Sequence, residues 1–182
     1  MSRILVGVSA SAACFKAVAV CSALAKEGHE VQTVLTRNAA RLVTPLQFSC
    51  VTGQRALCDE WEPTDPAGMD HIALARRADL LLICPATAQL IGCIAQGLAQ
   101  DLLGSLVLAI EASKPRLLAP AMNPEMWSNA AVRRNVATVR ADGWKLIGPE
   151  DGPTACRESG PGRMAEPDAV LAAVRAALGG AR

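Results

Sequence analysis

Five consecutive apolar residues, Leu80 to Cys84, constrain the fold of this chain more than any other segment. The run lies between Asp79 and Pro85, so it has the length of a strand rather than that of a buried helix. A half-exposed strand alternates polar and apolar residues, whereas this one presents apolar side chains to both faces of its sheet. It therefore predicts a strand inside a parallel sheet covered on both sides, and it falls far short of the roughly 20 residues that a membrane span requires.

Strand-like and helix-like patterns alternate along the rest of the chain. Gly28 and Gly143 each follow a helical pattern and Gly97 separates two others, and glycine commonly ends a helix. The short connections predict one α/β domain over residues 1–182, a doubly wound parallel sheet with helices on both faces. The predicted strands cover residues 3–9, 29–36, 80–84, 115–119 and 144–147, and the predicted helices cover 12–27, 69–78, 86–98, 101–112, 124–142 and 166–178.

Charge and cysteine content narrow the classes of function. The 182 residues carry a formal net charge of +1, and without a basic excess we do not expect nucleic-acid binding. The seven cysteines include no CxxC pair, and with only His29 and His71 available the spacing of a zinc site is missing, so no metal is expected. Six cysteines are expected to be inert packing residues, whereas Cys156 lies between turn residues. The N-terminus resembles a strand rather than a secretion signal, which favours a cytoplasmic protein without membrane attachment.

Two segments between predicted elements are longer than the usual connections in a small domain. Residues 59–68 form a polar segment that contains prolines, and residues 148–163 contain four glycines and three prolines around one cysteine and two arginines. Loops of this length in a small domain are usually functional lids or are disordered. For the second segment we predict a lid or clamp, because predicted structure flanks it on both sides.

The carboxyl ends of the predicted strands are where an open parallel sheet binds ligands. Residues 9–13 (SASAA) are small and carry two hydroxyl groups beside a helix start, which suits a phosphate, although a tight strand–helix turn explains them equally well. The segment is neither GxGxxG nor a P-loop, so it does not indicate a dinucleotide or a nucleoside triphosphate. Thr36 and Arg37 supply further donors after the second strand. Asn123 stands just before a helix that begins with Pro124, so helix capping alone would account for it.

Four segments stand out together in chain order. They read MDHIAL at residues 69–74, PATAQL at 85–90, PAMNPEMW at 120–127 and ACRESGPGRM at 155–164. Together they resemble the flavin-containing cysteine decarboxylases. The first contains the family's active-site histidine, the second occupies the place of its PASANT motif, and the third fits its PxMNxxMW motif. The fourth is similar to the cysteine-containing substrate clamp of the phosphopantothenoylcysteine decarboxylases in that family. The chain departs from the pattern at Gln89 and Leu90, which replace Asn-Thr, and at Arg157, where glycine is common.

This resemblance implies a flavodoxin- or Rossmann-like sheet and bound FMN. It also implies a homo-oligomer, either a trimer or a multiple of trimers such as a dodecamer. It implies that His71 is the catalytic base, that Asn123 binds the substrate carboxylate, and that Cys156 in a clamp over residues 148–164 donates a proton. The other implied substrate-binding residues are Met122, Ala155, Arg163 and Met164. The implied FMN-binding residues are Ser9, Ser11, Ala12, Thr36, Arg37, Phe48, Thr87, Ala88, Gln89, Leu90 and Ala121.

Three functions remain open under this resemblance. The favoured one is decarboxylation of 4′-phosphopantothenoylcysteine in coenzyme A synthesis. The second is oxidative decarboxylation of the C-terminal cysteine of a peptide, which stops at an aminoenethiol and needs no proton donor such as Cys156. The third is a non-catalytic regulatory subunit, which His71 argues against because such relatives can lose the catalytic histidine.

Overall fold

A computed structural model describes residues 1–153 and 155–180, and a five-stranded parallel sheet lies at its centre. The strands are β1 (Arg3–Val8), β2 (Glu30–Leu35), β3 (Leu80–Ala86), β4 (Arg116–Pro120) and β5 (Lys145–Leu146). They lie in the order β2-β1-β3-β4-β5 and all pair in parallel, which confirms the predicted doubly wound sheet. Residue 154 of the predicted clamp and residues 181–182 of the predicted domain lie outside the described residues.

Helices cover both faces of this sheet. Their bounds are α1 (Cys14–Lys26), α2 (Pro45–Thr52), α3 (Asp70–Arg77), α4 (Ala88–Gln96), α5 (Leu102–Ala109), α6 (Pro124–Ser128), α7 (Ala130–Ala141) and α8 (Pro167–Gly179). A 3-10 turn, Ala39–Arg41, precedes α2. The sequence pattern did not predict this turn or α2, because α2 buries little beyond Phe48 and so shows no apolar face.

The apolar run of β3 supplies both cores. Leu80, Leu82 and Cys84 face the core formed with α1 and α8, whereas Leu81 and Ile83 face the core formed with α3, α4, α5 and α7. The strand is therefore apolar throughout because each face packs against helices, as predicted. On the neighbouring β1, Gly7 is needed for close packing, since a Cβ there would lie 2.6 Å from the side chains of Ile83 and Leu103.

The single helix predicted over residues 124–142 is wrong. The structure has two helices, and Asn129 separates them with φ −57° and ψ 130°. Its side-chain Oδ1 accepts a hydrogen bond from the backbone N–H of Ala131 at 2.9 Å. A short polar side chain that satisfies the backbone locally ends one helix and caps the next, although the apolar pattern continues across it.

Residues 148–163, predicted as a long loop, instead contain an antiparallel hairpin of β6 (Glu150–Pro153) and β7 (Ser159–Arg163). The strand pattern was hidden because glycine and proline dominate both strands, where apolar alternation would normally indicate a strand. We call this element, with its turn at residues 155–158, the hairpin.

The cysteines are buried less uniformly than expected. Cys14, Cys21 and Cys84 are buried, which confirms their packing role, but Cys50 is exposed and both Cys58 and Cys93 are half-buried. Burial raises the pKa of the Cys21 thiol to about 12. The pKa of Cys84 is also raised well above its ordinary value, by desolvation first and then by its cysteine neighbours. These buried thiols stay protonated and unreactive at neutral pH.

Candidate active site

A cavity of about 650 Å³ opens at the carboxyl ends of the first four strands. It includes the point between β1 and β3 where the strand order reverses, which is where doubly wound sheets bind ligands. Its volume falls within the roughly 300–1,000 Å³ typical of small-molecule sites. Its wall is built from the residues after β1, β2, β3 and β4, the start of α5, and the segment around Trp61.

Most of the predicted cofactor contacts line this cavity. They are Ser9, Ser11, Thr36, Arg37, Thr87, Ala88, Gln89, Leu90 and Ala121. Ala12 is exposed just before α1 and is not part of the lining. Phe48 is completely buried in the core beside α1, so it has no surface with which to touch a ligand. Phe48 is thus not part of the cavity wall, and its contact with the cofactor stays a prediction.

Ser9 links the ends of β1 and β3, the two strands at the reversal point, by hydrogen bonds. Its side chain is 2% exposed, and its hydroxyl donates to the carbonyl of Pro85 at 2.8 Å while accepting from the N–H of Thr87 at 2.9 Å. The backbone N–H of Ser9 also donates to the Pro85 carbonyl. Both hydrogens of Ser9 are thus used inside the protein, so Ser9 shapes the cavity wall and has no donor left for a phosphate.

The N-terminal part of α4 forms the next section of the wall. Thr87 is the N-cap of this helix, and its Oγ1 accepts from the N–H of Leu90 at 3.3 Å. Ala88 and Ala121 place only methyl groups at the cavity, which leaves room for a flat ring to approach the backbone. Gln89, one of the two departures from the family pattern, is exposed and adds an amide to the lining.

An ion pair closes the β2 side of the cavity. Arg37 Nη2 lies 3.0 Å from Asp59 Oδ2, and both residues belong to the lining. The pKa of Asp59 is lowered, first by the hydrogen bond from the backbone N–H of Trp61 and then by Arg37. Both side chains reach solvent, so the pair can open to let Arg37 meet an anionic ligand.

His71 lies outside the cavity of its own chain. It occupies the first turn of α3, is half-buried, and is not among the residues that line the wall. Its neighbour Asp70 is 4% exposed and accepts hydrogen bonds from the N–H and hydroxyl of Thr64 and from the N–H of Asp65. Asp70 therefore fixes the segment before α3 and, with it, the position of His71.

The hairpin packs directly on the segment that leads into α6. The N–H of Met122 donates to the carbonyl of Gly162 at 3.0 Å. Gly162 has a φ of +134°, and a Cβ there would lie 2.5 Å from the carbonyl oxygen of Met122. Only glycine allows this approach, so the glycine-rich composition of β7 serves to place the hairpin against Met122 and Asn123.

Asn123 is both a helix cap and a hydrogen-bond donor to the hairpin. Its Oδ1 accepts from the N–H of Met126 at 2.8 Å, which is the N-cap contact of α6. Its Nδ2 donates to Glu158 Oε2 at 3.2 Å, and Cys156 Sγ lies 3.5 Å from the same oxygen. The structure thus brings together Asn123 and Cys156, two of the predicted reactive groups, through the carboxylate of Glu158.

The remaining predicted substrate residues have different surroundings. Met122 lines the cavity, and Ala155 is exposed in the turn of the hairpin. Arg163 pairs with Glu150 at 2.7 Å and with Glu166 at 2.8 Å, so it fastens the base of the hairpin. Met164 is 2% exposed and packs in the core, so its role in substrate binding stays a prediction.

Several residues of the wall were not predicted from the sequence. They are Cys58, Asp59, Glu60, Trp61, Cys93, Leu98, Gln100, Asp101, Leu102 and Gly104. The unusual length of the segment over residues 59–68 was a usable signal for Asp59 and Trp61. Nothing comparable marks the α4–α5 connection, where Asp101 also caps α5 through the N–H of Gly104 at 2.8 Å.

Two general features of the described residues bear on the class of protein. Across residues 1–153 and 155–180, no three His, Cys, Asp or Glu side chains lie close enough together to hold a metal ion. No helix in that part of the chain is both long and apolar enough to cross a membrane.

Fold and cavity together define an α/β protein with a five-stranded parallel sheet and a cavity at the β1–β3 reversal. The chain belongs to the Flavoprotein family, whose model matches residues 1–179. This match confirms the resemblance to flavin-containing proteins that the four segments indicated.

Curated relatives narrow the comparison. Over 169 residues the chain is 33% identical to a probable phosphopantothenoylcysteine decarboxylase of Streptococcus mutans, covering 93% of this chain and 94% of that protein. Over 170 residues it is 42% identical to the coenzyme A biosynthesis bifunctional protein CoaBC of Vibrio vulnificus, covering 93% of this chain. The chain spans only 42% of the length of that CoaBC protein.

Two solved structures share the whole fold. One is a cysteine-to-serine mutant of a PPC decarboxylase complexed with pantothenoylaminoethenethiol, with a TM-score of 0.86, 33% identity, and coverage of 96% of this chain and 97% of that one. The other is SpaF, an FMN-dependent cysteine decarboxylase, with a TM-score of 0.85, 33% identity, and coverage of 100% and 97%.

Proposed function

We propose that this chain is an FMN-dependent cysteine decarboxylase that converts 4′-phosphopantothenoylcysteine to 4′-phosphopantetheine in coenzyme A biosynthesis. The observation that carries the proposal is the grouping of the Asn123 amide and the Cys156 thiol at the hairpin turn, within 3.5 Å of one carboxylate oxygen. A donor that binds the carboxylate beside a thiol that can donate a proton is the arrangement that this decarboxylation of a cysteinyl group needs.

The cavity fits FMN in size and chemistry. Its volume of about 650 Å³ accommodates a tricyclic ring with a short phosphorylated chain. Alanines at positions 88 and 121 leave space beside the strand ends, while Ser11, Thr36 and Arg37 supply polar groups for the chain and phosphate. FMN held by these residues would supply a two-electron acceptor for oxidation of the cysteinyl thiol and a two-electron donor for the final reduction.

Three side chains divide the remaining work. His71 takes up a proton from the substrate as the thiol is oxidised, a role suited to imidazole because its usual pKa is about 6.5. Asn123 holds the substrate carboxylate by a neutral N–H donor until CO₂ leaves, so it adds no positive charge that would stabilise the carboxylate against loss. Cys156 then gives a proton to the enethiol carbon as the two electrons return, which makes the overall reaction redox-neutral.

We also propose a homotrimer, or a multiple of trimers such as a dodecamer, in which His71 of one subunit serves the site of another. The position of His71 outside its own cavity supports this arrangement. Phe15 and Leu46 add support, because they are 65% and 71% exposed and lie on the two neighbouring helices α1 and α2. An interface between subunits would cover such side chains. Six cysteines are free thiols, which supports a reducing, cytoplasmic location; they are Cys14, Cys21, Cys50, Cys58, Cys84 and Cys93.

A second candidate is oxidative decarboxylation of a peptide C-terminal cysteine to an aminoenethiol. The likeness to SpaF over the entire chain supports a general cysteine decarboxylase and leaves the acyl part of the substrate open. Cys156 favours the first candidate, because a reaction that stops at the enethiol has no use for a proton donor at that carbon.

One experiment separates the two candidates. The FMN-loaded protein is incubated with phosphopantothenoylcysteine and, separately, with a cysteine-terminated peptide, and products are weighed by mass spectrometry. Loss of about 44 Da from the first substrate supports the proposal, whereas loss of about 46 Da from the peptide supports the second candidate. No mass change in either substrate would contradict both.

A further inference from the structure

The carboxylate of Glu158 makes a contact that the roles proposed above do not explain. Asn123 cannot turn its amide, because Oδ1 is held by the N–H of Met126 at 2.8 Å in the cap of α6. Its NH₂ group therefore faces the hairpin, and the group that it meets there, at 3.2 Å, is a carboxylate of this same chain.

We propose that Glu158 is an internal competitor for the substrate carboxylate. It occupies the NH₂ group of Asn123 when no substrate is bound, and a substrate must displace it in order to bind. The inference rests on the proposed function, in which Asn123 binds the carboxylate of a cysteinyl substrate. One neutral amide does not neutralise two carboxylates, and two such groups in contact with it would repel each other. Although the NH₂ group carries two hydrogens, this repulsion between two carboxylates at one nitrogen favours occupation by one of them at a time.

The hairpin allows this exchange without losing its own structure. Glu158 is exposed and lies in the turn, outside β6 and β7, so moving its side chain breaks no strand pairing. Meanwhile the Met122–Gly162 hydrogen bond and the Arg163 ion pairs hold the hairpin in place. The side chain of Glu158 can thus leave and return while the element that carries it stays fixed.

Competition by Glu158 affects only ligands that carry a carboxylate. A carboxylated ligand has to replace Glu158, whereas a decarboxylated one leaves Glu158 on Asn123 and is not opposed. Glu158 therefore lowers the affinity for substrate relative to product. It weakens binding of the carboxylated ground state and keeps the Asn123 amide satisfied once CO₂ has left.

Calorimetry on the FMN-loaded protein tests this with ligands that do not react. The carboxylated ligands are phosphopantothenoyl-alanine and a peptide ending in alanine, which lack the thiol. Their decarboxylated partners are the corresponding ethylamides. Glu158→Ala should bind the carboxylated member of the pair about five- to tenfold more tightly, because displacing a charged hydrogen bond no longer opposes it, and should bind the ethylamide unchanged. Glu158→Gln, which keeps an acceptor without the charge, should lie between the two.

Glu125→Ala is the matched control, because Glu125 carries the same charge in the first turn of α6, two residues from Asn123. It should alter neither affinity. Equal tightening of both ligands by Glu158→Ala, an unchanged affinity for the carboxylated one, or failure of both pairs to bind would overturn the inference. If only the peptide pair shows the effect, the inference stands and the proposed substrate is wrong. If the protein turns over phosphopantothenoylcysteine but Glu158→Ala has no effect on binding, the proposed substrate is right and the inference about Glu158 is wrong.

Discussion

At the scale of single residues, Arg157 explains a departure that the sequence alone left unexplained. Its φ is +63°, the left-handed conformation that glycine adopts at no steric cost. At this position the turn of the hairpin has a backbone conformation that favours glycine, although the residue is arginine. The glycine common at this position in the family matches that backbone, and the arginine of this chain carries strain.

Replacing the arginine should therefore stabilise the protein. We expect Arg157→Gly to raise the free energy of unfolding by about 1 kcal/mol, because the left-handed conformation is unfavourable for any residue with a Cβ. For a chain of this size that corresponds to an increase of about 2–4 °C in Tm. Ser159→Gly, two residues away in β7, is the control and should lower the Tm, since Ser159 has no positive φ to relieve. A lower Tm for Arg157→Gly would contradict the interpretation.

Cys156 is the residue whose replacement separates the two candidate reactions. Cys156→Ser keeps the size of the side chain but replaces the thiol with a much weaker acid, so the final proton transfer should stall. With phosphopantothenoylcysteine the variant should release a product about 2 Da lighter than that of the wild type, detected by mass spectrometry. Fully reduced product at the wild-type rate would remove Cys156 from the mechanism.

At the scale of elements, the sequence predicts what depends on apolar periodicity and misses what depends on polar side chains. The five strands of the sheet and most of the helices follow from runs that bury one or both faces, as β3 does most clearly. The break at Asn129 escapes prediction because one side-chain hydrogen bond decides it. The hairpin escapes because close approach to Met122 requires glycine where a strand normally shows apolar residues.

The same limit applies to the site. The part of the cavity wall at the strand ends could be predicted, because parallel strands all end at the same edge of the sheet and motifs mark those ends. The burial of Phe48 and Met164 could not be predicted, because a motif gives chain position but not the direction of a side chain. The contact of Glu158 with Asn123 joins residues 35 positions apart and has no counterpart in the sequence pattern.

Ser9 offers a test of how the elements are joined at the reversal point. Ser9→Ala removes the hydroxyl that links Pro85 and Thr87, leaving the N–H of Thr87 without its partner in a region where Ser9 is 2% exposed. We expect a loss of about 1–3 kcal/mol in the free energy of unfolding. Ser11→Ala is the control, because the Ser11 hydroxyl accepts only from the N–H of Ala13 at 3.3 Å and is half-buried. Equal losses for the two variants, measured by urea unfolding, would contradict the role of Ser9.

At the scale of the whole molecule, the proposed sharing of sites between subunits has a direct genetic test. His71→Asn and Cys156→Ser should each abolish formation of fully reduced product when present in every subunit. Coexpressed, they should restore about a quarter of the wild-type rate, since random assembly gives about a quarter of the sites one intact copy of each residue.

The control for this mixture is the double variant His71→Asn/Cys156→Ser coexpressed with His71→Asn, which should stay inactive because no intact histidine is present. If the first mixture also stays inactive, both residues serve their site from the same subunit.

The buried thiol of Cys21 should make the free energy of unfolding fall at alkaline pH. The pKa of Cys21 is about 12 in the folded protein, against an ordinary value of 9.0. The protonated Cys21 thiol therefore makes its full contribution to the free energy of unfolding below pH 9. That contribution is lost between about pH 9 and pH 12, because only the unfolded chain releases the proton there. The slope is about 1.4 kcal/mol per pH unit.

Cys21→Ala removes this titration. The variant should be less stable than the wild type at pH 8 because of the cavity it creates, and the difference should shrink as pH rises from 9 to 10.5. Thermal unfolding across that range measures it, with Cys50→Ala at an exposed position as the control. A gap between wild type and Cys21→Ala that stays constant with pH would contradict the assignment.

The hairpin and the cavity wall have no residue in common among the described residues: the wall ends at Met126, and the hairpin begins at Glu150. The turn of the hairpin, which carries Cys156 and Glu158, is therefore encoded in a different stretch of the gene from the cavity wall. Mutations in the stretch that encodes this turn can change what is recognised without weakening the hold on the prosthetic group. A protein divided in this way can acquire new substrates in small steps, because each intermediate remains a loaded flavoprotein while its hairpin diverges.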